Sequence, residues 1–160
     1  MELKVIDKLI VYHGSSIEVK DPKIIQNGFY KDFGYGFYCN IIEKQAKRWA
    51  LTRNGNSVVN RYSYTIDKSL NIKYFAEMTD EWLDFVSECR IGKVHDYDIV
   101  EGPMADDQMW NYVEDFISGL ISRAAFWEIV KFNHPTHQIV YCTEAALKTL
   151  KFEGSDSYEK

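Results

Sequence analysis

Apolar residues recur along this chain in two periods, one typical of helices and the other typical of strands. A short apolar run predicts a buried strand over 9–13. An alternating pattern predicts a half-buried strand over 58–66, with one face formed by Tyr62, Tyr64 and Ile66. The first helix is predicted over 43–51, because an apolar stripe follows the helical spacing at Ile42, Ala46, Trp49 and Ala50.

The rest of the chain alternates between amphipathic helices and short strands. Helical periods predict helices over 80–89, 108–117 and 122–131, and Thr143 is suited to cap a last helix that runs to residue 150. Further strands are predicted over 97–101, ending at Gly102-Pro103, and over 138–142. The polar residues after Phe152 are expected to fray.

These elements interleave without a regular βαβ rhythm, and no repeat, low-complexity run or linker divides the sequence. We therefore expect an α+β fold. A single domain is predicted over 1–152, followed by a polar tail over 153–160.

The composition indicates a folded, intracellular protein. Of the 160 residues, 46% are hydrophobic and 15% aromatic, which is enough for a substantial core. The net charge of −5 weakly disfavours nonspecific nucleic-acid binding, although one segment carries a local basic cluster. The sequence shows no signal peptide or membrane span, and its three cysteines lack CxxC spacing. We therefore expect reduced thiols, a cytoplasmic location and no membrane partner.

Three short motifs carry the candidate chemistry. A histidine motif, His13-Gly14-Ser15, ends the first predicted strand, and a glycine turn, 33–38, follows about twenty residues later. The third motif is the late strand that begins at Gln138. The glycines do not form a dinucleotide fingerprint, because residue 39 is a cysteine and no βαβ unit surrounds it. No metal is expected, since the histidines lack zinc-ligand spacing.

The same residues have ordinary structural interpretations. His13 is a strand histidine of a kind that is usually structural, and Tyr38 and Trp49 fit a core of aromatic side chains. Asp106 and Asp107 are placed to cap the helix that follows them, and a substrate-facing role for them is the alternative.

Taken in order, the three motifs resemble the ADP-ribosyltransferase superfamily, on the branch of the poly(ADP-ribose) polymerases and diphtheria toxin. That branch has His-Gly-Ser on its first strand, then a Phe-Gly-x-Gly-[Ile/Val]-Tyr turn and a helix with a second aromatic residue. Its catalytic strand, Glu-Tyr-Ile-Val-Tyr, is similar to residues 138–141 of this chain. The run 97–107 resembles a bacterial group of small uncharacterised domains whose gene neighbourhoods suggest toxin–antitoxin pairs.

The resemblance implies a split β-sheet with flanking helices, and NAD bound as a substrate in the cleft between two small sheets. No metal is implied. The implied cofactor-binding residues are His13, Gly14, Ser15, Gly36, Tyr38 and Trp49, and the implied catalytic residues are Gln138, Tyr38 and His13.

Each of these residues has an implied role in holding NAD. His13 and Ser15 would bind the adenosine ribose, and the backbone of Gly14 would pair with the nicotinamide carboxamide. Tyr38 and Trp49 would stack on the nicotinamide ring. Breaking the nicotinamide–ribose bond develops positive charge on the ribose, and so the site must fix the dinucleotide and stabilise an oxocarbenium-like centre.

Three positions depart from the better-known relatives. Gln138 stands where they have glutamate, and a neutral amide hydrogen-bonds less strongly than a carboxylate. This predicts mono-ADP-ribosylation, slow chemistry or none. Ala46 replaces a serine that bonds the carboxamide, and Thr136 replaces the Glu or Gln of arginine-specific relatives. Arginine modification is therefore disfavoured. The loop that would meet the acceptor is expected to contain Phe132, Asn133, His134 and His137, which suit a protein side chain or a nucleobase equally well.

Three functions remain open on these grounds. The first is a mono-ADP-ribosyltransferase acting on a macromolecular acceptor, as the toxin of a toxin–antitoxin pair with an antitoxin protein as a partner. The second is an NAD glycohydrolase, in which water accepts the ADP-ribosyl group. The third is an inactive NAD- or ADP-ribose-binding module, which the neutral Gln138 and Ala46 favour.

Overall fold

The computed structural model describes residues 8–24, 31–52, 55–105, 107–133 and 136–159. Within them the chain is a mixed α+β fold with seven strands in one sheet and five helices. In chain order the elements are β1 (Lys8–Ser15), β2 (Phe37–Asn40), α1 (Glu43–Leu51), β3 (Ser57–Thr65), β4 (Ile72–Tyr74), α2 (Asp80–Arg90), β5 (Ile99–Met104), α3 (Asp107–Ile117), α4 (Arg123–Val130), β6 (Thr136–Tyr141), α5 (Glu144–Leu147) and β7 (Leu150–Tyr158).

The strands are ordered β4-β5-β6-β2-β1-β3-β7 across the sheet. Every residue of β1 pairs with β3, whereas the register between β1 and β2 is the single pair Tyr12 and Asn40. The described sheet is therefore two well-paired parts, β4-β5-β6-β2 and β1-β3-β7, joined at one position. We call this junction the seam.

Four helices lie on one face of the sheet. Tyr12 packs with Ala46 and Ala50 of α1, and Tyr12 pairs across the seam with Asn40. On the same face of the other part, Tyr38 and Val140 pack against a core built from α2, α3 and α4. Alternate residues of a strand point to opposite faces. The other face, which includes Ile139 and Tyr141, packs against α5.

Most predicted elements are present with small shifts at their ends. The helix over 43–51 matches α1, and the cap at Thr143 is confirmed, since its Oγ1 accepts from the backbone N–H of Ala146 at 3.1 Å. That last helix is shorter than expected and ends at Leu147. β4 was not predicted, because three residues are too few to show a period.

The strand predicted to stop at Gly102-Pro103 instead continues to Met104 as β5. β4 pairs with β5 as far as Glu101, whereas β6 pairs with it through Pro103 and Met104. Beyond Glu101, β5 is bordered by β6 on one side in the described register. Proline, which lacks an N–H, is tolerated where a strand is paired on one side.

The segment predicted to fray after Phe152 is ordered as β7 at the edge of the sheet. It pairs with β3 along its length, and Glu153 accepts a hydrogen bond from Ser63 at 2.7 Å. Charged and small polar side chains are typical of edge strands, which face water on one side. No helix among the described residues is long and apolar enough to cross a membrane.

Candidate functional site

A cavity of about 1190 Å³ opens at the seam, between α1 and the helices over the other part of the sheet. It is of the size that holds small-molecule ligands or cofactors. All seven residues that the resemblance implies line it: His13, Gly14, Ser15, Gly36, Tyr38, Trp49 and Gln138. They come from β1, the turn before β2, β2 itself, α1 and β6, and so the fold brings together residues that are up to 125 positions apart (138 − 13).

His13 is fixed by a bond across the seam. Its Nδ1 lies 2.6 Å from the carbonyl oxygen of Tyr38, and its ring stacks on Phe37 with centroids 4.1 Å apart. A carbonyl oxygen only accepts hydrogen bonds, and so Nδ1 carries the proton in this contact. In the neutral ring Nε2 is then the acceptor nitrogen, which is suited to accept a hydrogen bond from a ligand hydroxyl such as that of a ribose.

Gly14 is required by the close packing of α1 against β1. A Cβ at this position would lie 2.3 Å from the carbonyl oxygen of Ala46 and 3.0 Å from the backbone nitrogen of Ala50. Helix and strand backbones therefore touch at this side of the cavity. The same packing buries Ala46 completely. Because residue 46 is an alanine, α1 has no side-chain hydroxyl at this position.

Tyr38 is held by both polar contacts of its hydroxyl. The hydroxyl donates to the carbonyl oxygen of Gly34 at 2.6 Å and accepts from the N–H of Phe33 at 3.1 Å. Burial raises the pKa of Tyr38 well above its ordinary value, and so the phenol stays neutral. Tyr38 therefore offers a ligand its ring, and its hydroxyl closes the glycine turn.

A cation already lies over that ring. The ammonium nitrogen of Lys31 is 5.0 Å from the ring centroid of Tyr38, within cation–π range. Trp49 of α1 also lines the cavity and is 48% exposed, and so it is a rim residue rather than a core aromatic.

Gln138 lies in the middle of β6 and lines the cavity. On one side it pairs with Asn40 of β2, and on the other with Gly102 of β5, which has no side chain. Asn40 also lines the cavity and is almost fully buried. The neutral side chains of Gln138 and Asn40 therefore lie next to each other where β2 and β6 line the cavity, a position that we call the cleft floor. Asn40 was not predicted from the sequence, where it stands out only as a polar residue inside the apolar run 37–42.

A loop covers one end of the cavity and is fastened by Asn60 of β3. The fully buried Asn60 side chain accepts from the N–H of Val19 at 2.8 Å and donates to the carbonyl oxygens of His13 and Ile17, each at 3.2 Å. Residues 17–21 of this loop line the cavity. The cavity-lining lysines are Lys20, Lys23 and Lys31, and the carboxylates of Glu18 and Asp21 line the cavity beside them.

A buried ion pair supports the glycine turn from behind. Arg90 of α2 contacts Asp32 through Nε at 2.7 Å and Nη2 at 2.6 Å, and its guanidinium stacks on Trp110. Asp32 also accepts from the N–H of Ala105 at 3.0 Å. Burial raises the pKa of Asp32, opposed by the charge of Arg90 and by these hydrogen bonds. Arg90 belongs to α2 and Trp110 to α3, and so the pair joins the glycine turn to both helices. Ala105 and Trp110 also line the cavity.

The adjacent residue of β6, His137, lies on the opposite face from Gln138. Its Nε2 is 2.7 Å from Oε2 of Glu101, and each side chain is 26% exposed. His137 was predicted on a substrate-facing loop, but in the structure it belongs to β6 and does not line the cavity. Phe132, on the same predicted loop, is 81% exposed.

Other candidates lie outside the cavity or outside the described residues. His134 and Asp106 are not described, and α3 begins at Asp107. Cys142 is unpaired, and burial raises its pKa to about 12, which disfavours a nucleophilic thiolate. Among the described residues no group of three or more His, Cys, Asp or Glu side chains is placed to hold a metal ion.

Comparison with known proteins identifies a family. No curated protein matches this chain. No solved structure matches it either. Residues 9–152 match the family described as "Protein of unknown function (DUF3990)", and the chain belongs to that family.

Proposed function

We propose that this chain is a mono-ADP-ribosyltransferase that transfers ADP-ribose from NAD to a macromolecular acceptor and releases nicotinamide. The observation that carries the proposal is the convergence of the seven residues implied by the resemblance on one cavity at the seam of the sheet. A cleft at that position agrees with the split sheet that the resemblance implies. The cavity also has the polar groups and aromatic rings that a dinucleotide needs.

Each side of the cleft has a part in the proposed reaction. His13 on β1 accepts a hydrogen bond from an adenosine ribose hydroxyl through Nε2, and the cavity-lining lysines attract the pyrophosphate. The rings of Tyr38 and Trp49 supply the surfaces that stack on nicotinamide. Gln138 hydrogen-bonds the 2′-hydroxyl of the nicotinamide ribose.

The proposed transfer needs no reactant besides NAD and the acceptor. The bond between ribose C1′ and the nicotinamide nitrogen breaks, and its electron pair stays with the departing neutral nicotinamide. The acceptor nucleophile forms a bond to C1′ and loses a proton. The developing positive charge on the ribose meets an amide dipole at Gln138 rather than a carboxylate, and so we expect slow turnover and single modifications.

The decisive experiment measures nicotinamide release from NAD by the purified protein, alone and with cell lysate. Release that requires lysate and is lost in Gln138→Ala supports the transferase. Release without lysate identifies a glycohydrolase instead. NAD binding without release leaves an inactive binding module. His137→Ala is the matched control, because it alters the neighbouring residue on the opposite face of β6.

The proposal extends to a toxin of a toxin–antitoxin pair, supported by the likeness of residues 97–107 to the bacterial group described above. Expression of the wild-type chain in a bacterial host is expected to arrest growth, and Gln138→Ala to relieve the arrest at equal protein level. Equal arrest by both proteins would contradict a toxic role for the cleft.

A further inference from the structure

Asn40 carries a polar atom that the folded chain leaves without a partner. Asn40 is 6% exposed, and none of the described residues hydrogen-bonds its Oδ1. A buried acceptor without a donor loses its bonds to water and gains none in return. Native structures contain few such atoms, and each one calls for an explanation.

The position of Asn40 distinguishes it from the other buried side chains that lack a partner. Among the described residues, such atoms also occur on Gln45, Ser57, Ser87 and Tyr141. None of these four side chains lines the cavity, whereas Asn40 does. The unsatisfied oxygen therefore belongs to a residue of the cleft floor.

Strand register places Asn40 beside the proposed catalytic residue. Asn40 pairs with Gln138 of β6 on one side and with Tyr12 of β1 on the other, at the seam. Side chains of directly opposed residues stand on one face with Cβ atoms about 5 Å apart. Both residues line the cavity, and Oδ1 of Asn40 is itself shielded from it in the unliganded chain.

We infer that Asn40 is a ligand-binding residue: its side-chain amide turns toward the cavity when the nucleotide binds, and Oδ1 then accepts a hydrogen bond from a neutral donor of that nucleotide, beside Gln138. This inference rests on the proposed function for the identity of the nucleotide. NAD has two such donors near its reacting bond, the carboxamide N–H of nicotinamide and the hydroxyls of the adjoining ribose. Either donor would satisfy an oxygen that the unliganded protein leaves unpaired.

The carboxamide has a particular need for such a partner in this chain. Ala46 offers no hydroxyl, and its backbone packs against Gly14. An asparagine acceptor on the neighbouring strand supplies a hydrogen bond that an alanine at position 46 cannot.

The binding test uses Asn40→Leu, which keeps a similar size and removes both polar atoms. A non-hydrolysable carbocyclic NAD analogue is titrated by calorimetry into both proteins. We expect Kd to rise about tenfold, as for the loss of one hydrogen bond to a buried ligand group. Ser57→Ala is the matched control: it removes another unpartnered buried oxygen, away from the cavity, and is expected to leave Kd unchanged.

Two fragments distinguish the two donors. Nicotinamide has the carboxamide but no ribose, and ADP-ribose has the ribose but no carboxamide. Weaker binding of nicotinamide alone in Asn40→Leu assigns Oδ1 to the carboxamide, and weaker binding of ADP-ribose alone assigns it to the ribose. Unchanged affinity for the analogue and for both fragments would overturn the inference and leave the proposed function standing.

Thermal unfolding without ligand tests the inference independently of NAD. Removing an unsatisfied buried oxygen is expected to raise the Tm of Asn40→Leu by about 2–4 °C. A lower or unchanged Tm would show that the oxygen is satisfied within the fold, and the inference would fall. If the wild-type protein does not bind the analogue but Asn40→Leu is stabilised, the proposed function fails while an empty acceptor in the cleft is supported.

Discussion

The two faces of β6 each have a pair of polar side chains nearby, and the two pairs differ in what they hold together. On the cleft side, Asp32 and Arg90 are 0% and 2% exposed and join the glycine turn to α2 and α3. On the opposite face, Glu101 and His137 are each 26% exposed and join two neighbouring strands. A buried pair that loses one member leaves an uncompensated charge, whereas a half-exposed pair is rehydrated. The cleft is thus the face on which charge is structurally essential.

The largest expected effect comes from breaking the buried pair. Arg90→Met leaves the Asp32 carboxylate without its partner, and we expect the free energy of unfolding to fall by about 3–5 kcal/mol in urea denaturation. Arg123→Met is the control, because Arg123 contacts Asp80 and Asp84 at the surface, where ion pairs contribute less than about 1 kcal/mol. Equal losses in the two variants would erase the contrast between buried and exposed pairs.

The second largest effect is expected from introducing a carboxylate at position 138, in the cavity. Under the proposed function, Gln138→Glu is expected to raise the rate of nicotinamide release about tenfold, because a charged acceptor bonds a hydroxyl more strongly than an amide. Single-turnover release at saturating NAD is the measurement. A slower Gln138→Glu enzyme would show that the neutral amide itself is needed beside Asn40.

A smaller effect is expected on the opposite face. His137→Ala removes the partner of Glu101, which remains partly hydrated, and the free energy of unfolding should fall by less than about 1 kcal/mol. Nicotinamide release should stay at the wild-type rate. Loss of release with stability retained would place His137 in the chemistry and refute the assignment of the two faces.

The smallest effect concerns the thiols beneath the cleft face. Burial raises the pKa of Cys89 and of Cys142 to about 12, from an ordinary value of 9.0. Because folding raises these pKa values, the contribution of the protonated thiols to stability is complete below about pH 9 and is lost as the pH approaches 12. At pH 8 the folded protein should react with iodoacetamide only slowly, as mass spectrometry would show, and fast labelling after urea unfolding is the control. Fast labelling of the folded chain would contradict this burial.

The sequence predicted elements with a clear period and failed where polarity or length removed the period. α1 was predicted with its observed ends, because four apolar residues follow one helical stripe. β7 was missed because its polar residues, such as Glu153 and Asp156, suit a sheet edge and show no apolar alternation. The prediction ended β5 too early, because a proline usually ends a strand. Pro103 is tolerated because β4 pairs with β5 only as far as Glu101, and the sequence does not show this.

The candidate site was predictable only as a set of separate motifs. Nothing in the spacing of His13, Tyr38 and Gln138 places them together; the resemblance grouped them, and the strand order explains how they meet. The supporting residues were not found. Asn60 and Arg90 have no motif around them, and their importance arises from burial and from partners 41 to 58 positions away.

Under the proposed function, the ammonium of Lys31 over Tyr38 makes ligand entry an exchange of one cation for another. The nicotinamide ring of NAD is itself positively charged, and it requires the aromatic face beside which the lysine lies. Affinity would therefore reflect the difference between two cation–π contacts rather than the full strength of either. Neutral nicotinamide, once released, would compete poorly with the returning ammonium, and so the same lysine would favour departure of the product.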